Sequence, residues 1–255
     1  MTSPQAIFLI SVGCIFGGAL LGLLLSRVLP EHHLRDNSKD TVKMVAGTIA
    51  TLAALVLGLL VGSAKNSFDA LNTEITQSST KVILLDRALA AYGPETKEAR
   101  EQLRRGVITL IQTFWPEEKT EASGFAVFER TNKIETLQAK LRELTPATDA
   151  QRQLLSQAEQ ISSDMLQARW LLIEQAQSAL PTPFLVVLLF WLTMLHLSFG
   201  LFAPRNATVL ITLFVGAASV AGAMFLILEL DRPFDGVMQI SSEPIQKALD
   251  RAAGR

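Results

Sequence analysis

The stretch VAGTIATLAALVLGLLVGSA (Val45–Ala64), followed without a break by KNSFDALNTEITQSSTKVILLDRALAAY (Lys65–Tyr92), decides how this chain is built. The first segment carries no charge. At 1.5 Å per residue it is long enough to cross a hydrocarbon layer of roughly 30 Å. The second segment is rich in polar residues, yet Phe68, Leu71, Ile75, Ser78, Val82, Leu85, Leu89 and Tyr92 recur at three- and four-residue spacing. That spacing puts them on one face of a helix. Nothing between Ala64 and Phe68 stops a helix, so one continuous rod is predicted, ending at Gly93-Pro94.

Lys and Arg number 23 and Asp and Glu 24 in 255 residues, but they are segregated. None falls in Met1–Ser26, Met44–Ala64, Gln175–Pro204 or Asn206–Leu228. A water-soluble domain does not sort charge in this way. Four membrane spans are predicted, at about 6–28, 45–64, 184–202 and 207–228. They must be helices, because lipid leaves a lone segment to satisfy its own backbone. The fold class is all-α: two transmembrane hairpin pairs with a helical-bundle insert between spans two and three. The domains expected are 1–64, a first membrane pair; 65–182, a water-facing bundle or coiled-coil insert; 183–229, a second pair; and 230–255, a turn and an interfacial amphipathic helix. The first span lacks a basic leader and a small-residue cleavage site, so it is expected to be retained.

Within the insert, three further helices are predicted around Leu103–Phe114, Ile134–Leu144 and Leu154–Leu172, bounded by Trp115-Pro116, Pro146 and Pro181-Thr182-Pro183. In the tail, Ser242 is an expected N-cap with Pro244 in the first turn. Ile245, Ala248, Leu249 and Ala252 then share one face, to lie on the membrane surface or on the insert. An even number of spans places both termini and the insert on one side. Arg27, Arg35, Lys39, Lys43 and Arg205 are concentrated in the short connectors, which by charge density puts those in the cytoplasm and the insert outside a plasma (inner) membrane.

Net charge −1 and a pI near 6.3 give no bulk reason to bind nucleic acid. The single cysteine, Cys14, excludes an intramolecular disulfide. No phosphate loop, nucleophile elbow or zinc motif is present, so no enzyme, cofactor or metal is expected. His32 and His33 are adjacent and diverge on a helix, which makes a poor metal pair.

The candidate residues each have a plainer reading beside the functional one. Ala54, Gly58 and Gly62, Gly18 and Gly22, and Ala218 and Gly222 are small residues four apart. They suit close helix packing within one subunit, or, for the second span, packing around an oligomer axis. Thr48, Thr51 and Ser63 are the few polar groups of the second span, and Lys65, Asn66 and Asp69 stand at its exit. They fit a pore and its vestibule, or ordinary interfacial residues. His196, inside the third span, is an intramembrane polar site or a neutral imidazole bonded to a nearby hydroxyl such as Thr193. Glu229, Asp231 and Asp235 cluster around Pro233, but their spacing fits no standard calcium loop.

Leu57–Asp69, Leu85-Asp86-Arg87 with Tyr92-Gly93-Pro94-Glu95, Ser198–Phe202, and Leu228–Gly236 followed by Ile240-Ser241-Ser242 together resemble the bestrophin-like family of bacterial integral membrane proteins. The resemblance covers nearly the whole chain and implies two spans, a helical region, two spans and a short tail. A more distant likeness to bestrophins implies an oligomeric ion channel whose second span lines the pore. It also implies an acidic Pro-Phe-Gly segment after the last span, matched here by Glu229, Asp231, Pro233, Phe234, Asp235 and Gly236. Arg232 interrupts that segment and Asp235 separates Phe234 from Gly236, so calcium gating is not implied. The second span has no aromatic residue to form a neck. Bestrophin orientation would put the insert in the cytoplasm, opposite to the charge-density reading. The resulting expectation is a homo-oligomer in the lipid bilayer that passes small ions through a pore including Thr48, Thr51, Gly58, Gly62 and Ser63. The rival is a non-conducting, membrane-anchored helical sensing or scaffolding protein.

Overall fold

A computed structural model describes residues 4–30, 36–115, 133–177, 182–234 and 236–252. Among these, all regular structure is helical: α1 (Pro4–Val28), α2 (Asp36–Tyr92), α3 (Lys97–Phe114), α4 (Lys133–Arg142), α5 (Asp149–Gln177), α6 (Thr182–Phe202), α7 (Ala207–Leu230) and α8 (Glu243–Ala252), with a 3₁₀ turn at Pro94–Thr96. Four of them are long and apolar enough to span a membrane, over Pro4–Val28, Lys39–Tyr92, Pro183–Phe202 and Ala207–Leu230. The rod predicted across Ala64 is unbroken, and α2 runs for 57 residues. Contacts divide the chain into two compact units, Met1–Phe68 with Ala179–Arg232, and Asp69–Ser178 with Pro233–Arg255. The connector histidines His32 and His33, Pro116, and Pro181 at the expected kink lie outside the described residues.

In the first unit α1 packs along α6 and also against α7. Glycine explains how closely α1 and α6 cross. A Cβ at Gly18 would sit 2.7 Å from the Thr193 carbonyl oxygen, one at Gly22 would collide with Leu197 O, and one at Gly200 with Ala19 O. Both helices therefore present bare backbone to each other. In lipid, where burial from water supplies no drive between helices, such contact is the main source of attraction. On the other side of α1, Phe8 meets Phe225 and Phe16 meets Phe214 edge-on, with ring centroids 6.0 and 5.4 Å apart. Ile15, Leu188, Leu192, Ala217, Ala221 and Met224 fill the interior, together with Ala46, Ala53, Leu60 and Ala64 of α2. The turn into α7 is closed by Asn206, whose side chain accepts from Val209 N at 2.8 Å. Arg205 Nη2 donates to Ser26 Oγ at 2.9 Å and ties that turn to the end of α1.

In the second unit α2 stops at Gly93, whose φ of 141° lies where side chains are strained. Thr96 Oγ1 then donates to the freed Leu89 carbonyl at 2.5 Å, folding the chain into α3. Asp86 and Arg100 make a two-pronged ion pair at 2.9 Å for each contact, bracing the same corner. Those hydrogen bonds hold the Arg100 guanidinium above its ordinary pKa, against a smaller opposing effect of burial. Val82, Leu85 and Leu89 meet Leu103, Val107, Leu137, Leu141 and Ala158 in one core. The tail helix α8 lies on α3, inserting Ile245 and Ala248 into that core. Ser242 stands just before α8, where its carbonyl accepts from Gln246 N at 3.0 Å.

Two substitutions test these contacts. Gly200→Val should lower stability by about 2–3 kcal/mol through overpacking against Ala19, whereas Gly222→Ala, with open space at its Cβ, should leave the thermal transition of the detergent-purified chain in place. Ile245→Ala should cost about 3 kcal/mol and release the tail, read as faster proteolytic trimming of residues 243–252.

Candidate functional site

The buried side of α2 within the first unit is Ala46, Ala53, Leu60 and Ala64. The exposed side carries large apolar residues, Leu52, Leu55 and Leu59 among them, and a stripe of smaller and polar ones. Wound at about 100° per residue, Thr48, Thr51, Leu55, Gly58, Gly62 and Asn66 fall on the face diametrically opposite, and all are exposed. Leu55 is the one bulky apolar side chain among those six. A Cβ at Gly58 or Gly62 would meet nothing within 4 Å. Among the described residues nothing packs at Gly58 or Gly62, whereas Gly18 and Gly22 do serve packing inside the subunit.

The hydroxyls on this face turn inward to their own helix. Thr48 Oγ1 donates to Met44 O at 3.2 Å and Thr51 Oγ1 to Gly47 O at 3.0 Å. Their protons are thereby used, and the oxygens keep lone pairs for an outward partner. Of the other singled-out residues, Ser63 and Lys65 are exposed but lie to either side of the face. Lys65 Nζ stands 6.0 Å above the Phe68 ring. In the second unit Asp69 is exposed, and Thr73, Thr76 and Thr80 follow it at three- and four-residue spacing, also exposed. Those three threonines escaped the sequence reading, although their spacing from Asp69 was there to be counted.

His196 is buried on α6, and its hydrogen-bond partner is not Thr193, which bonds Leu189 O at 2.8 Å. His196 Nδ1 lies 2.9 Å from Leu192 O. A carbonyl only accepts, so Nδ1 is the donor in this bond. Nε2 faces α7 at Gly216, where a Cβ would stand 3.6 Å away. Because its described bond is to its own helix, His196→Leu should shift the thermal transition by no more than about 1 kcal/mol. A larger loss in the full chain would reveal a partner across the helices.

The turn after α7 is built for structure. Glu229 is buried at the helix end, and its carbonyl accepts from Arg232 N at 3.1 Å. Asp231 caps the last turn through its own N–H to Ile227 O at 3.1 Å. In the second unit, Pro233 O accepts from Ile240 N at 2.8 Å, and Gly236 has a φ of 102°. Phe234 is clasped by Phe114 and Trp115, at ring separations of 4.6 and 5.4 Å, while Trp115 Nε1 donates to Ile240 O at 2.8 Å. Asp235 lies outside the described residues. Among the described residues no three His, Cys, Asp or Glu side chains come close enough to hold a metal.

Four long apolar helices with lipid-compatible outer faces define an α-helical membrane protein. The chain matches the Bestrophin-like domain over residues 13–245, and it belongs to the bestrophin-like family. Neither the curated proteins nor the solved structures contain a match to it.

Proposed function

We propose that the protein is a homo-oligomeric channel of the plasma (inner) membrane, in which copies of α2 surround a common axis and small ions pass along the face of Thr48, Thr51, Gly58, Gly62 and Asn66. The observation that carries this reading is the two-faced character of α2. Ala46, Ala53, Leu60 and Ala64 are consumed by the subunit core, while a stripe of glycine, hydroxyl and amide groups stands exposed among the described residues. The stripe is only sparsely polar, since Leu55 lies on it and the exposed Leu52 and Leu59 border it. Glycine at two successive turns lets copies of the helix approach, and a sparsely polar lining gates by wetting and dewetting. Ser63, Lys65 and Asp69 would stand at the mouth. Consecutive spans form the two hairpins, with 65–182 as the insert between them. The basic connectors lie in the cytoplasm and the insert outside. The protein is not an enzyme.

A second reading keeps the same helix but no water along it. The unbroken course of α2 from Asp36 to Tyr92 suits a rod that carries small rotations from a sensing or scaffolding module.

The readings separate by experiment. Single cysteines placed along 48–66 in a Cys14→Ser background should react with a charged, membrane-impermeant thiol reagent at 48, 51, 58 and 62. Positions 53 and 60 should stay protected. Reconstitution in planar bilayers should give unitary currents, with reversal potentials in asymmetric salt reporting the ion's sign. A folded, oligomeric preparation without current or periodic labelling rejects the channel.

A further inference from the structure

We infer that the first unit holds an anionic phospholipid, its acyl chain in the groove between α2 and α6 and its phosphate on Lys39 and Lys43. The groove is a hollow of about 330 Å³. On the α2 side it is walled by Ala46, Gly47 and Ala50, and on the α6 side by Phe199 and Phe202. The three small residues make the hollow, since each larger side chain there would fill it. Phe199 is half exposed and forms an apolar wall facing outward.

Length and charge both select the occupant. From Lys43 to Ala50 the helix rises roughly 10 Å, which is the headgroup-side part of one leaflet of a hydrocarbon core of roughly 30 Å. That part of one acyl chain therefore fits along the groove with its headgroup at the end where the lysines stand. Lys39 and Lys43 are one turn apart on α2 and both line the hollow. Asp40 lies 3.9 Å from Lys43, but both side chains are well exposed, at 75% and 60%, so water screens that pair and leaves the lysine charge effective. The α6–α7 turn adds Arg205, bonded to Ser26 at the end of α1, so this end of the unit is basic on more than one element. A basic pocket between spans at headgroup depth is suited to an anionic lipid. A zwitterionic lipid would meet the same walls but gain little from the lysines. A second copy of this chain would have to bring an acidic partner to them.

The inference is independent of conduction. The full-length protein in detergent is incubated with an equimolar mixture of phosphatidylglycerol and phosphatidylcholine, and retained lipid is counted by native mass spectrometry. The wild type should keep phosphatidylglycerol about tenfold over phosphatidylcholine. Lys39→Gln with Lys43→Gln should bring that ratio close to one, with the phosphatidylcholine adduct unchanged. Gly47→Leu, at a position with free space for a side chain, should reduce retention of both lipids. Excess inorganic phosphate should displace neither. The inference is overturned by a wild type without headgroup preference, by a preference that survives the double substitution, or by Gly47→Leu without effect. Displacement by phosphate alone would overturn it too, since that would make the site one for a free anion.

Discussion

Hydrocarbon offers no hydrogen-bond partner, and every other feature of the first unit follows from that constraint. The backbone of each span must bond to itself, which makes helices the form available to a single segment. Once helical, the spans gain nothing from leaving water a second time, so they associate only where surfaces fit closely. Gly18, Gly22 and Gly200 provide that fit between α1 and α6, and edge-on phenylalanine pairs provide it between α1 and α7. The connectors then need only close the ends, as Asn206 and Arg205 do.

The second unit answers to water, and its devices differ accordingly. A glycine with positive φ, a threonine that takes up a freed carbonyl and an ion pair between Asp86 and Arg100 form its first corner. Aromatic clasping of Phe234 and the docking of α8 fasten the tail. Several residues that carry the family resemblance have such structural duties. Asp86, Gly93, Pro233, Phe234 and Gly236 each hold a turn or a corner, which is why a specific resemblance says so little about chemistry.

The candidate site was legible in part, and the reason is geometric. Thr48, Thr51, Gly58, Gly62, Asn66 and Asp69 share a helical face that counting by three and four reveals, as it would have revealed Thr73, Thr76 and Thr80. Counting alone does not tell whether a small-residue stripe meets a neighbour within the subunit. Gly18 and Gly62 look alike in sequence, yet the first is pressed on Thr193 and the second stands in open space. His196 shows the same limit, because its choice of Leu192 O over a hydroxyl depends on a rotamer that the sequence does not state.

Segregation of charge and spacing of apolar residues by themselves determined that this chain is helical, that four helices can cross a membrane, and that α2 runs on past Ala64. Those properties are local: they depend on length, periodicity and the absence of breakers along one segment. Tertiary structure alone decided which face of each helix is used, that α1 crosses α6 at glycine, that α8 rests on α3, and that the polar stripe of α2 is left outward. Such choices depend on residues far apart in the chain meeting at atomic distance, and no periodicity within one helix contains that information.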